Sequence, residues 1–338
     1  MNLENNREED MTFKATRRQF LVGTGLAATA AALPAFAQDK PKLRFSAVFS
    51  EQDIRAEMMK MFSDAIKDDF VFEGYYGGNL FKQGTELVAL QRGNLEMGNI
   101  APQDISKQIP AWSIVTAGYL FRDAAHVKSF FASEAGAELK KLAEDQLGVV
   151  VLGPTYFGVR QVGLKPEKEI KTPADMAGVK LRMPGGDAWQ FLGEALGANP
   201  TPMAYAEVYT GLQTGAIDGQ DNPLPNVENM KFFEVMSQIV LTSHLVGFDL
   251  LTVSKKVWDE MGAEKQAKFQ AAADAAIDFS TEKHLAREKE LVETFKGKGL
   301  KIYEPDVDAF RKHVQEKYLA SDLAKDWPQG MVDKINAL

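Results

Sequence analysis

The sequence predicts an α/β fold, and three observations carry that expectation. Short runs with strand patterning alternate with stretches of helical periodicity between Leu43 and Leu152. A helix–glycine–strand unit occurs twice, starting at Leu90 and again at Leu212. A long stretch near the C-terminal end has almost no helix breaker until Gly297.

Taken in order, Leu43, Phe45, Ala47 and Phe49 alternate with period two and predict a strand. Asp53 to Asp68 carries Ile54, Met58, Phe62 and Ile66 at helical spacing. Phe70-Val-Phe72 predicts a strand, and Gly74-Tyr-Tyr-Gly77-Gly78 a turn. Thr85 to Arg92 reads as a helix, Leu95-Glu-Met97 as a strand and Gly136 to Gln146 as a helix. Gly148-Val-Val-Val-Leu152 is a short, continuously apolar strand.

The first copy of the repeated unit is Leu90-Gln-Arg-Gly93-Asn-Leu-Glu96. The second is Leu212-Gln-Thr-Gly215-Ala-Ile-Asp218. Each reads as a helix stopped by a glycine, which takes a left-handed conformation at no steric cost. Either this is a common turn met twice, or two similar α/β lobes each use it once. Lys265 to Phe295 reads as one long helix, or two with a kink. A helix of about 30 residues spans roughly 45 Å, enough to brace two lobes. No low-complexity linker intervenes, so the chain is expected to cross between lobes several times.

With 338 residues the chain has room for two or three compact units. It is 45% hydrophobic and 25% charged, which argues against disorder and against a multi-span membrane protein. Its 39 basic and 47 acidic residues give net −8, a poor balance for nucleic acid. The absence of cysteine excludes disulfides, thiolate metal sites and cysteine lipidation.

The first 37 residues read as an export signal. Arg17-Arg18-Gln19-Phe20-Leu21 precedes an uncharged, Ala-rich run that ends in the small-x-small site Ala35-Phe36-Ala37. The paired arginines followed by Phe-Leu resemble a twin-arginine signal. The uncharged run is too short for a comfortable membrane span. The expectation is cleavage before Gln38 and a periplasmic mature chain that is not embedded in the membrane.

Catalytic patterns are missing. His126, His244, His284 and His313 stand far apart, and H-E-x-x-H, G-x-S-x-G, Walker-type and G-x-G-x-x-G motifs do not occur. Asp218 and Asp221 sit at a predicted strand end, where they could face solvent or cap a helix. No cluster argues for a metal or a cofactor. The expectation is a protein that is not an enzyme, with a periplasmic enzyme acting on a carboxylate as the rival class.

The informative region runs from Tyr156 to Asn229. It holds Tyr156-Phe-Gly-Val-Arg160, Gly178-Val-Lys-Leu-Arg182-Met-Pro184, Pro200-Thr-Pro-Met203, Glu207-Val-Tyr-Thr-Gly-Leu-Gln213 and Asp218-Gly-Gln-Asp-Asn222-Pro223. This ordered set resembles the solute-binding proteins of TRAP transporters, the DctP-type family, with weaker similarity from Leu43 to about Phe310. An arginine offers a planar fork of donors that matches a carboxylate bidentately and never loses its charge. Arg182 lies at the end of a strand-like run, where open α/β sheets present ligand groups.

The resemblance implies a two-lobe binding protein with a sheet in each lobe, hinge strands and a long helix bracing both. It places lobe I at 38–157, completed by about 249–285, and lobe II at 158–248, completed by about 286–338. It implies that Arg182 forms the salt bridge to a substrate carboxylate. Arg160 adds a second donor, the Asn222 amide contacts the substrate, and Tyr205 packs on it. Phe49, Tyr75 and Trp189 are further candidates for an aromatic wall that also includes Tyr76 and Phe81. The implied partners are a small organic acid anion and TRAP-type membrane permease subunits, with the receptor a monomer.

A sugar acid such as a uronate is the favoured ligand; an aromatic carboxylate, a C4-dicarboxylate or a 2-oxo acid is the alternative. Sialate is disfavoured. The chain has Ala101-Pro102 after its Gly93–Ile100 stretch and Gly185 after Arg-x-Pro, where sialate-binding members carry polar contacts.

Overall fold

The computed structural model describes residues 40–338, so the expected signal segment lies outside the described residues. The first half of the chain supplies β1 (Lys42–Ser46), α1 (Ile54–Ile66), β2 (Val71–Tyr75), α2 (Glu86–Gln91), β3 (Met97–Ile100), α3 (Pro102–Ser106), α4 (Ala124–Ala132) and α5 (Glu134–Leu147). The long strand β4 (Val149–Leu164) follows. Then come β5 (Lys180–Met183), α6 (Asp187–Ala195), β6 (Asn199–Pro202), α7 (Val208–Thr214), β7 (Gly219–Pro223) and α8 (Leu224–Asn229). A second long strand, β8 (Gln238–Ser254), runs into α9 (Lys255–Gly297), and β9 (Lys301–Tyr303), α10 (Val307–Leu319) and α11 (Met331–Asn336) close the chain.

The strand order is β2-β1-β3-β8-β4-β7-β5-β6, with β9 beside β8. The order is symmetric about its centre. On one side β1 pairs in parallel with β2 and β3, and β3 runs antiparallel to β8. On the other side β5 pairs in parallel with β6 and β7, and β7 runs antiparallel to β4. The repeated helix–glycine–strand units occupy equivalent places: α2, Gly93 and β3 on one side, α7, Gly215 and β7 on the other. The sheets expected in separate lobes are thus the two ends of one ladder. They are joined because β4 and β8 pair from Val149–Ser254 to Leu164–Gln238.

Helices cover both faces of each half, as buried sheets require. In the first half, Phe45, Phe62 and Phe269 pack on one face; Trp112, Phe130 and Phe248 pack on the other. In the second half the corresponding clusters centre on Leu181, Leu192 and Phe310, and on Leu212, Leu291 and Phe295. Each such fully buried side chain contributes about 1.5–3 kcal/mol. Helix α11 returns to the first half, where Met331 and Ile335 join the Trp112 cluster.

The long helix begins earlier than its periodicity predicts, at the Ser254 cap, and breaks at Gly262, whose φ of 72° and ψ of 161° are not helical. Beyond that break Phe269, Ala273 and Ala276 pack on the first half, and Leu291 and Phe295 on the second. Between these two apolar stripes Ser280 and His284 are buried, and Glu288 meets the joining strands. Strand β4 bulges against β8 between Tyr156 and Gly158, and Gly158 has φ +121°. A Cβ there would sit 2.6 Å from Pro223 Cβ and 2.8 Å from Glu288 Oε1. Glu288 Oε1 accepts the Val159 N–H at 2.7 Å, satisfying a backbone donor at the bulge.

Candidate ligand-binding cleft

A cleft opens between the two halves. It lies at the carboxyl ends of the parallel strands. Phe49 follows β1, Asn99 and Ala101 end β3, Arg182 ends β5 and Asn222 ends β7. The central strands add Phe157 and Arg160 from β4 and Asp249 from β8.

The wall from the second half is cationic. Arg182 is 1% exposed, yet no carboxylate of a described residue pairs with it. Its Nε donates to the Met203 carbonyl at 2.9 Å and its Nη2 to Gln83 Oε1 at 3.2 Å. Burial pushes the guanidinium down to about 10, still charged at neutral pH. The Tyr205 ring lies 5.8 Å from its carbon, and the Tyr205 N–H also donates to Gln83 Oε1.

Arg160 is different. Its Nε and Nη2 grip the Asp221 carboxylate at 2.6 and 2.9 Å, and its guanidinium stacks over Trp189 at 4.7 Å. Asp221 is fully buried and also meets His244 Nε2 at 3.1 Å, while His244 Nδ1 meets the Thr242 hydroxyl at 2.8 Å. Burial drives the Asp221 carboxyl upward, but Arg160 and the His244 hydrogen bond outweigh it and hold it below the usual carboxylate range. Burial pushes His244 down. A neutral His244 that donates from Nε2 and accepts at Nδ1 satisfies both partners. Asp221 therefore neither faces solvent nor caps a helix, as its sequence position suggested. It neutralises Arg160 and leaves Arg160 Nη1 as the donor not used on Asp221.

The wall from the first half is acidic. Arg55 lies between the Phe49 and Phe157 rings at 4.3 Å from each. It donates to both oxygens of Asp53 at 2.9 Å, and from Nη1 to Asp249 Oδ2 at 2.9 Å. Asp249 Oδ2 also accepts from Asn99 Nδ2 at 2.6 Å. The Asn99 carbonyl accepts from the Thr155 hydroxyl at 2.9 Å, which fixes the amide's orientation. Burial pushes Asp249 up. Glu86 lines the same wall with a buried Oε1 that has no partner, and burial pushes its carboxyl up to about 8. Asp104 lines it too and accepts from Lys107 at 2.6 Å.

Of the residues singled out by sequence, Arg182, Arg160, Asn222, Tyr205, Phe49 and Trp189 line this one cleft. Asn222 Nδ2 donates to Gln220 Oε1 at 2.6 Å, which leaves its carbonyl oxygen without that bond. Tyr75 does not line the cleft. It ends β2, the strand at the margin of the sheet, and its hydroxyl donates to Glu73 two residues back. Tyr76 packs on Phe49 from behind, at 5.7 Å between ring centres. Sequence reading missed Arg55, Gln83, Glu86, Asn99, Asp104, Asn226 and Asp249. Arg55 carried a signal: it is in phase with Met58, Met59 and Phe62 on the buried face of α1. Asp249 stands alone in the apolar run from Leu245 to Leu251.

Two α/β halves with one cleft between them, and a buried cation facing it, define a small-molecule receptor rather than a nucleic-acid or scaffold protein. The profile described as bacterial extracellular solute-binding protein, family 7 (DctP), matches residues 45–323, and the chain belongs to that family. A TRAP periplasmic solute-binding protein from Roseobacter denitrificans, solved with bound 3-deoxy-D-manno-oct-2-ulosonic acid, is 47% identical with a TM-score of 0.87. That comparison covers 88% of this chain and 99% of that one. The sialic acid-binding periplasmic protein SiaP of Vibrio cholerae is 28% identical, over 82% of this chain and 87% of its own length. A TRAP periplasmic protein from Xanthobacter autotrophicus, solved with β-D-galacturonate, is 25% identical with a TM-score of 0.79, covering 87% of this chain and 99% of that one. The protein is thus a TRAP-type periplasmic receptor for organic acids, of the class that works with membrane permease subunits. Among the described residues no helix is long and apolar enough to cross a membrane.

Proposed function

We propose that this receptor captures a sugar acid, a polyhydroxylated monocarboxylate, by closing its two halves over it. The observation that carries the reading is Arg182. A buried guanidinium without a counter-anion is costly, and a ligand carboxylate would complete it. Arg160 Nη1 and the Asn222 carbonyl would hold the adjoining oxygens, a carboxylate or a hydroxyl respectively. Trp189, Tyr205 and Phe49 would enclose the chain of the ligand. Phe49 and Trp189 already have a guanidinium against them, which favours a polyol over an aromatic acid. The bound 3-deoxy-D-manno-oct-2-ulosonate and galacturonate of two relatives are sugar acids and point the same way.

The lobes in this reading are 38–157 completed by about 249–285, and 158–248 completed by about 286–338, with α11 counted in the first. The protein would release its ligand unchanged, and its paired arginines at 17–18 would send it through the twin-arginine route. Replacing both by Lys should then leave the precursor in the cytoplasm.

Thermal unfolding of the exported protein against a panel tests the ligand class. The panel holds 3-deoxy-2-ulosonates, uronates, aldonates, C4-dicarboxylates, 2-oxo acids and aromatic carboxylates. Ligand at about 100 times its dissociation constant adds roughly 2.7 kcal/mol. The midpoint should rise by a few degrees with sugar acids alone. A rise confined to dicarboxylates or aromatic acids would overturn the reading. So would no rise with any acid after unfolding and refolding to strip retained ligand.

A further inference from the structure

The two walls of the cleft carry opposite charge, and the proposed carboxylate clamp uses only one of them. Asp249 stands on the other. Both of its hydrogen bonds, from Arg55 Nη1 and Asn99 Nδ2, fall on Oδ2. No described residue donates to Oδ1, and the side chain keeps 13% exposure toward the cleft it lines. Arg55, the cation bonded to Asp249, also gives Nε and Nη2 to Asp53, so its one guanidinium is shared between two carboxylates. Asp104, on the same wall, is matched by Lys107, and Glu86, pushed up to about 8 by burial, is uncharged at neutral pH, so the unmatched negative charge on this wall is that of Asp249. The wall therefore offers acceptors and little surplus positive charge.

From this arrangement we infer that Asp249 is a specificity-determining residue. It reads hydroxyl groups at the end of the ligand remote from Arg182 and rejects ligands with a second carboxylate there. The inference rests on the sugar-acid reading above and adds the ligand's direction: carboxylate toward the second half, polyol toward the first. Hydroxyls are donors, and a carboxylate with one unsatisfied oxygen accepts from them strongly. A second ligand carboxylate has no hydrogen to give and would face a like charge in a water-poor site. Discrimination by an unpaired or repelled charge is the strongest means a pocket of this size has. Asn99 is a positioning residue: held by Thr155, it fixes which oxygen of Asp249 is left for the ligand.

The test is calorimetry with galactonate and galactarate, which share a six-carbon chain and differ in whether the far end is an alcohol or a carboxylate. The exported protein should bind galactonate at least tenfold more tightly than galactarate. Asp249→Asn and Asp249→Ser should lose affinity for galactonate, gain it for galactarate and bring the ratio near one. Asp249→Glu should keep the ranking. Equal affinity of the unmutated protein for both acids would overturn the inference, even if neither neutral variant folds. So would a ratio unchanged in the neutral variants. If the unmutated protein binds no sugar acid from the panel, the sugar-acid reading falls and this inference with it. If it binds them but the ratio does not respond to Asp249, only the inference falls.

Discussion

Arg55 and Arg182 face the same cleft from opposite halves, and both are almost fully buried. Arg55 has two carboxylates and two aromatic rings around it. Arg182 has a carbonyl, an amide and one distant ring. A buried ion whose partners come from the same chain holds the fold together. A buried ion left without a partner destabilises the empty protein and reserves its attraction for whatever arrives. The contrast separates structure from function more sharply than burial or charge taken alone.

The largest expected effect tests the reserved charge. Arg182→Ala should lower sugar-acid affinity at least a thousandfold, about 4 kcal/mol, while leaving the unfolding midpoint of the empty protein unchanged or higher. Arg182→Lys should bind weakly, because a point charge lacks the fork. Retained affinity in the Ala variant, read by calorimetry, would break the comparison.

Arg55→Ala should do the reverse. Removing one partner of a buried charge network costs about 3–5 kcal/mol. Here it leaves Asp53 and Asp249 without the guanidinium between them, so denaturant unfolding should report the loss. A variant as stable as the parent would show that Arg55, too, is held for a ligand.

Glu86 sharpens the contrast from the acidic side. Its carboxyl titrates at about 8 in the fold and at 4.5 when unperturbed. The folded form therefore holds a proton that the unfolded form has lost across that window. Stability attached to this group is complete below pH 4.5 and declines as pH rises to about 8. Glu86→Gln should flatten that decline and raise stability at pH 8, by at most a few kcal/mol. An unchanged stability–pH curve in the Gln variant would remove Glu86 from the account.

The smallest effect belongs to Gln83. It reaches from the first half to accept from both Arg182 and the Tyr205 N–H. Gln83→Ala should cost about 1–2 kcal/mol of affinity, five- to thirtyfold, with little change in stability. A larger fall in stability than in affinity would make Gln83 a brace of the resting fold instead.

What sequence could reveal differed between the walls. The second-half wall is drawn mostly from one segment, Arg160 to Asn222, where short motifs stand close together and their order carries the resemblance. The first-half wall is assembled from Arg55, Glu86, Asn99 and Asp249, which lie on four separate elements. None of them sits in a motif with the others, and only the fold brings them together. Length was lost for a related reason. Strand β4 was legible to Leu152 but runs to Leu164, because β8 pairs straight through Gly153, Pro154 and Gly158, with the register shifts falling at Leu152, Phe157 and Gln161. Helix α9 was legible from its periodicity, whereas its first turns precede the break at Gly262. Tyr75 was read in a turn and counted among the wall's aromatics, but it ends β2 at the margin of the sheet, and residue type alone says nothing of distance from the cleft.

The shared strands also constrain how the protein can come into being. The Trp112 cluster gains β8 residues such as Phe248 and Leu250, then Met331 and Ile335 from the far end of the chain. The second half, in turn, needs Leu291 and Phe295 from α9 and Phe310 from α10. A ribosome releasing this chain from its N-terminus delivers no finished half until nearly all of it has emerged. Vectorial, lobe-by-lobe folding is therefore closed to this topology. Its long-range pairings should make folding a late, slow and all-or-none event, and halves expressed separately should not fold alone.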